Sequence, residues 1–290
     1  MKYQNGNAEI EIQYDGTRII KYEGDLKLDY PLNIDIRVST RCSFGYNPKT
    51  NSAFCDFCHE SARTDGKECD YNVLMNKLEG LPKGIELAIG ANYISMDLVN
   101  FLKYCFHKEY ICNLTINQGH LRRDLEPLKY LIAKQYIKGL GVSYRGSLHW
   151  DIPQEILDYK NTVLHVIAGI DNIYDVIILP VKKILVLGEK SFGFNEGKVD
   201  LTSQSHKEWY RYVSVFFDKF EVVSFDNLAL EQLNIKRFLI EKDWDTFYQG
   251  EHSMYINAVE GYFSPSSRNS QKTDWNDTNI KTYFNTYRSI

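Results

Sequence analysis

Residues 33–58 read NIDIRVSTRCSFGYNPKTNSAFCDFC. The run Asn33–Ser39 has the length and β-branched content of a strand. A long polar loop follows it, and that loop holds Cys42, Cys55 and Cys58 in the spacing C-x12-C-x2-C. A C-x2-C pair in such a chain points to a metal or cluster site rather than a disulfide. Three grouped thiolates, not four, would leave one iron of a [4Fe–4S] cluster without a protein ligand and therefore open to chemistry.

Short apolar runs recur outward from this stretch, at Ile85–Ile89, Ile111–Ile116, Ile137–Val142, Thr162–Ala168 and Ile184–Leu187. Amphipathic segments separate them. Asp97–His107 places Leu98, Phe101, Leu102 and Cys105 on one side, and Leu125–Tyr136 does the same with Leu128, Leu131 and Ile132. This alternation predicts βαβ units, because parallel strands need a helical crossover. Continuous rather than alternating apolar runs imply strands covered on both faces. The expected fold class is α/β, a partial (β/α)6 TIM-like barrel with an N-terminal β-hairpin and a C-terminal capping segment. The hairpin is read from EIEIQY-DG-TRIIKY, with Asp15-Gly16 at its turn. The expected organisation is 1–30 for the extension, 31–219 for the core barrel and 220–290 for the cap. Glu221–Phe225 and MYINAVEGYF are further candidate strands, and Ser264–Asn279 reads as a loosely ordered polar tail.

Bulk properties exclude several classes. The 290 residues are 43% hydrophobic, enough for a sizeable core, and carry a net charge of −4, which gives no basic footprint for nucleic acid. No apolar run reaches membrane-spanning length, since Val176–Gly188 is broken by Pro180, Lys182 and Lys183. The start is polar rather than signal-like. A cytoplasmic protein is expected, with its six cysteines as ligands or buried thiols. Cys105 and Cys112 belong with core packing, and His165, inside an apolar strand, reads as a core histidine.

The cysteine spacing, with aromatic Phe57 just before Cys58, resembles the cluster loop of the radical S-adenosylmethionine (radical SAM) superfamily, with the first interval expanded. Lengthening a flexible loop to this extent costs only roughly 1 kcal/mol of closure entropy. The resemblance covers about Asn33 to Lys190. It implies a [4Fe–4S] cluster on Cys42, Cys55 and Cys58, with S-adenosyl-L-methionine chelating the fourth iron. Reductive cleavage would give a 5′-deoxyadenosyl radical that abstracts hydrogen from a small-molecule or peptide substrate. An external one-electron reductant of flavodoxin or ferredoxin type would be the partner. Gly90, Ala91 and Asn92 lie where the family has its Gly-Gly-Glu-Pro run, with Asn92 in place of the usual Glu. Asn117 and Ser143 match positions that contact ribose or carboxylate, and Lys190 could pair with the cofactor carboxylate. His59 and Glu60 would flank the cluster. Asp226, Asn227, Glu231, Tyr255 and Asn257 could read a polar substrate, and Tyr144 is a conceivable hydrogen donor. The alternative is a zinc-stabilised binding module in which Cys69 supplies a fourth thiolate to a closed site.

Overall fold

The computed structural model describes residues 1–13, 18–146, 152–240 and 252–287. The chain begins with β1 (Lys2–Asn5), β2 (Ala8–Ile12) and β3 (Arg18–Lys21), a three-stranded antiparallel sheet. The two expected hairpin strands pair, with Ile10 opposite Ile20 and Ile12 opposite Arg18. Their turn at Asp15-Gly16 lies outside the described residues. β1 is an unexpected third strand. It reaches β2 through Gly6, whose φ of 61° favours glycine and where a Cβ would stand 1.9 Å from the Lys27 carbonyl oxygen.

The next elements are β4 (Asn33–Arg37), β5 (Arg41–Asn47), β6 (Ser52–Ala53) and α1 (Tyr71–Lys77). Then come β7 (Glu86–Gly90), α2 (Met96–His107), β8 (Ile111–Asn117), α3 (Leu121–Ala133) and β9 (Gly139–Ser143). α4 (Gln154–Leu157), β10 (Thr162–Ile167), α5 (Ile173–Ile177) and β11 (Lys183–Leu187) continue the alternation. α6 (Gln204–Tyr212), α7 (Val215–Lys219), β12 (Val222–Phe225) and α8 (Asn227–Gln232) follow. The chain ends with β13 (Ser253–Asn257), β14 (Tyr262–Ser264), β15 (Thr273–Asp274) and α9 (Ile280–Tyr287).

One mixed α/β sheet dominates. Its ten strands run in the order β12-β11-β10-β9-β8-β7-β4-β13-β14-β15. Only β14 and β15 join antiparallel, so eight strands are parallel rather than the six expected. The two additions are the further candidate strands: Glu221–Phe225 gives β12, and MYINAVEGYF begins in β13, which pairs beside β4. Segment 220–290 therefore feeds strands to both ends of the sheet. The presumed loose tail also contributes. β15 pairs with β14, Trp275 is buried, and Lys77 Nζ donates to the Trp275 carbonyl at 2.7 Å. One large aromatic supplies the burial that the polar composition around it concealed.

The parallel strands are not buried on both faces, contrary to the reading of continuous apolar runs. Ile34, Ile36, Leu87, Ile89, Leu114 and Ile116 are buried, and α2 lays Leu98, Phe101, Leu102 and Cys105 into the same core. The alternate residues are polar and only partly covered, among them Asn33, Arg37, Asn113, Thr115, Asn117 and Ser143. Val163, Ile167, Leu185 and Leu187 hid this alternation, because they put apolar side chains on the open face of β10 and β11.

Helix starts are set locally. Asp70 accepts from Asn72 N and Val73 N at 2.9 and 3.2 Å, and Ser95 accepts from Leu98 N at 3.2 Å. Each such cap contributes about 1 kcal/mol. The N-terminal sheet has its own small core, in which Ala8, Ile10 and Ile12 pack with Leu28, Leu32 and Phe284 of α9. Arg18 ties it to the main sheet through Glu86 at 2.8 Å, and Asn113 Nδ2 donates to the other Glu86 oxygen at 2.6 Å.

Candidate cluster site

The cysteine segment is more ordered than a polar loop. Cys42 lies on β5, which pairs with β6, and the segment returns along the end of β4 through bridges such as Ser39 to Glu68. Gly45 and Gly66 allow this close return, since a Cβ there would stand 2.3 Å from the Ala62 oxygen and 2.4 Å from the Thr40 oxygen. The Cys55–Cys58 turn is closed by Cys58 N donating to Cys55 O at 3.1 Å. It is held from outside by Phe194 N donating to Cys58 O at 3.0 Å.

This folding brings Cys42, Cys55 and Cys58 together. All three are free thiols, with Cys42 and Cys55 buried and Cys58 half-buried. Burial pushes the Cys42 thiol up, the Phe44 and Gly45 N–H groups oppose it, and the neighbouring Cys58 adds to it. Burial pushes Cys55 up to about 11, Arg145 opposes it, and both Cys58 and Cys42 raise it further. Among the described residues, no three His, Cys, Asp or Glu side chains converge as a single metal ion requires. Cys69 is pushed up to about 12 by burial, and the charges acting on it are Glu68 and Asp70.

Basic and aromatic groups missed in the sequence surround the three sulfurs. Arg145, two residues past β9, reaches Cys55 and stacks over Phe57 at 4.8 Å. Arg123 acts on Cys42 and is paired with Asp124. His120 stacks on Phe44 at 4.7 Å and shares a 2.9 Å hydrogen bond with Ser43, beside Cys42. Its Nδ1 is buried without a partner, and burial, with Arg123 nearby, pushes the imidazole down to about 4. Strand-end position was the only available signal for these residues, and it does not separate them from ordinary loop polarity.

A second charged group runs from β4 to the far side of the cysteine segment. Arg37 Nε meets Glu60 at 2.8 Å, His59 Nε2 meets Glu60 at 3.1 Å, and Lys190 Nζ lies 3.3 Å from His59 Nε2 and 3.4 Å from Ser267 Oγ. Burial works against the Glu60 charge, but the His59 hydrogen bond, with Arg37 and Lys190 beyond it, holds the carboxyl down at about 2. A small cavity here is lined by Phe57, His59, Ile167, Leu187, Lys190 and Asn195. A larger groove along α6, lined by Lys207, Tyr210, Arg211 and Arg237, takes no residue from the cysteine segment.

The other expected contacts divide. Gly90 ends β7 with open space above it, and Asn92 is half-buried, its carbonyl accepting from Arg123 at 2.8 Å. Ala91 turns its side chain into the core, and its N–H donates to Thr115 O at 2.9 Å. Asn117 and Ser143 stand side by side on the polar face, with Asn117 Oδ1 accepting from Gly119 N at 2.9 Å. His165 stands beside Ser143 on the same face, packed over Gly141, and burial, with Arg145 adding to it, pushes it down to about 4. Tyr144 is buried in the apolar core instead. Asp226 caps α8 through Ala229 N at 2.7 Å, and fully buried Asn257 accepts from the Val259 and Glu260 N–H groups. Cys105 and Cys112 pack in the core as expected. Among the described residues no helix is long and apolar enough to cross a membrane. Compared with known protein families and with curated proteins, the chain matches none.

Proposed function

We propose that this protein is a radical SAM enzyme whose cluster is held by Cys42, Cys55 and Cys58, and whose polar sheet face lines the inside of a partial barrel. The observation that carries this reading is that Cys42, Cys55 and Cys58, and not Cys69, lie within electrostatic reach of one another in the segment that follows the first parallel strand. Parallel α/β sheets keep their chemistry at the carboxyl ends of their strands. A zinc ion would draw four thiolates to about 2.3 Å from one centre.

When bound, the cluster supplies one electron for reductive cleavage of S-adenosylmethionine, and hydrogen abstraction from a substrate follows. The residues of this chain bind and orient. Gly90, with nothing above it, lets a ligand approach the backbone at the end of β7. Lys190, beside His59 at the small cavity next to Phe57, carries a cation that suits the cofactor carboxylate. Asn92 offers an amide oxygen to the cofactor amine. Asn117 and Ser143 present polar groups for the ribose. The substrate, small molecule or peptide, would lie against the polar face.

The test is anaerobic reconstitution of the full chain with iron and sulfide. The expected product is brown, holds iron and sulfide in equal amounts, and releases 5′-deoxyadenosine from S-adenosylmethionine under dithionite. Cys42→Ala, Cys55→Ala and Cys58→Ala should each lose both the colour and the cleavage, whereas Cys69→Ala should keep both. A colourless zinc protein, or loss of metal in Cys69→Ala, would overturn the proposal.

A further inference from the structure

We infer that the groove along α6 is a binding site for a small phosphate ester. It does not depend on the cluster reading, since no residue of the cysteine segment lines it. Helical spacing builds one wall. Lys207, Tyr210 and Arg211 stand at i, i+3 and i+4 on α6 and so share a face. The other wall comes from Gln232, at the end of α8, and from Arg237 and Phe238 in the short helical turn Ile235–Phe238. Arg237 joins the two walls. Its Nη2 donates to the Tyr210 carbonyl, and its guanidinium lies 3.7 Å from the centre of the Tyr210 ring and 4.6 Å from that of Phe238.

The floor is buried and held from beneath. His206 lines the groove at 4% exposure, and its Nε2 donates to Glu189 Oε2 at 2.8 Å. Asn195 Nδ2 donates to the other Glu189 oxygen at 2.9 Å. Gln232 accepts from the Glu189 N–H at 2.8 Å and donates to the Glu189 carbonyl at 2.9 Å. Both walls are thereby fixed to one residue just past β11.

The lining carries one sign of charge. Lys207, Arg211 and Arg237 supply three cations, and no Asp or Glu lines the groove, in a chain whose net charge is −4. Among the described residues none of the three has an ion-pair partner. Carboxylates on the flanking chain are engaged elsewhere. Asp200 accepts from Thr202 N and Oγ1 at 2.8 and 2.6 Å, and Glu208 accepts from Gln204 at 2.8 Å. A cleft lined by one sign of charge concentrates its field on an arriving counter-ion. A phosphate group suits these donors, because its oxygens can accept from a guanidinium fork in pairs. The groove encloses about 770 Å³, within the span of about 300–1,000 Å³ usual for small-molecule sites and far more than a bare anion fills. Leu201, Tyr210 and Phe238 give the organic part of an ester an apolar surface.

The experiment is calorimetric titration of the full chain with phenyl phosphate, and separately with its two halves, inorganic phosphate and phenol, at constant ionic strength. Phenyl phosphate should bind once per chain and more tightly than either half. Lys207→Gln and Arg211→Gln alter exposed side chains, so their melting temperatures should match wild type while each weakens phenyl phosphate binding about tenfold. Lys182→Gln, outside the groove, should leave binding unchanged. The inference fails if phenyl phosphate gives no binding, if neither groove variant weakens it, or if inorganic phosphate binds as tightly as the ester. A polyglutamate peptide that binds where phenyl phosphate does not would assign the groove to an acidic protein and also overturn it.

Discussion

Gly141 shows how single residues shape the polar face. A Cβ there would stand 2.5 Å from His165 Cε1 and 2.7 Å from Thr115 Oγ1. Two neighbouring strands thus lean their side chains over the middle of β9, and only glycine leaves them room. Gly141→Ala should cost about 1–3 kcal/mol, the usual penalty of overpacking, measured as a lower urea midpoint. The sequence offered Gly141 as one glycine in an apolar run. Its role comes from residues 24 and more positions away, and no local pattern carries that.

Asp35 makes a second point at this scale. It opens to solvent on the polar face, yet the surrounding chain desolvates it enough to raise its carboxyl to about 6, with Lys190 opposing. A carboxyl raised in the folded state binds more protons folded than unfolded between its ordinary value and about 6. It therefore favours folding at low pH and loses that contribution as pH rises through this window. Asp35→Asn removes the penalty. The variant should melt above wild type at pH 7–8 and match it near pH 4; equal melting temperatures at both pH values would show that Asp35 is not desolvated.

At the scale of elements, the ends of the chain close on each other. Phe284 of α9 fills the core of the N-terminal sheet, and Lys281 and Asn285 reach Asp29 and its carbonyl at 3.0 and 3.1 Å. Phe284→Ala should cost about 3–5 kcal/mol locally and should raise hydrogen exchange first in β2, before the parallel strands. Protection lost in β7 and β8 at the same rate would mean that the small core does not open on its own. The parallel strands and α2 were legible because their signal lies within ten or so residues of chain. β15 and α9 were not, because their anchors, Trp275 and Phe284, are single aromatics in polar surroundings.

For the whole molecule, the cysteine segment links the strand ends, through Gly193 and Phe194, to the far side of the sheet. A Cβ on Gly193, already at a φ of 66°, would stand 2.3 Å from the His59 oxygen. Ligand binding to this folded arrangement stabilises it by mass action. Iron and sulfide loading should therefore raise the melting temperature of the full chain and protect residues 42–68 from proteolysis. Both effects should vanish in Cys55→Ala and persist in Cys69→Ala.

The chain sequence by itself determined the alternation of strands and helices along the chain, the helix caps and the spacing of Cys42, Cys55 and Cys58. Each depends on residues that are close in the chain and on properties that do not change when distant segments move. Only the tertiary structure decided that Arg145 lies over Phe57, that Arg37, Glu60, His59 and Lys190 form one chain of contacts, and that β13 lies beside β4. Those pairings join positions tens to hundreds of residues apart. They follow from strand order and from which face each alternate side chain takes, and packing alone fixes both.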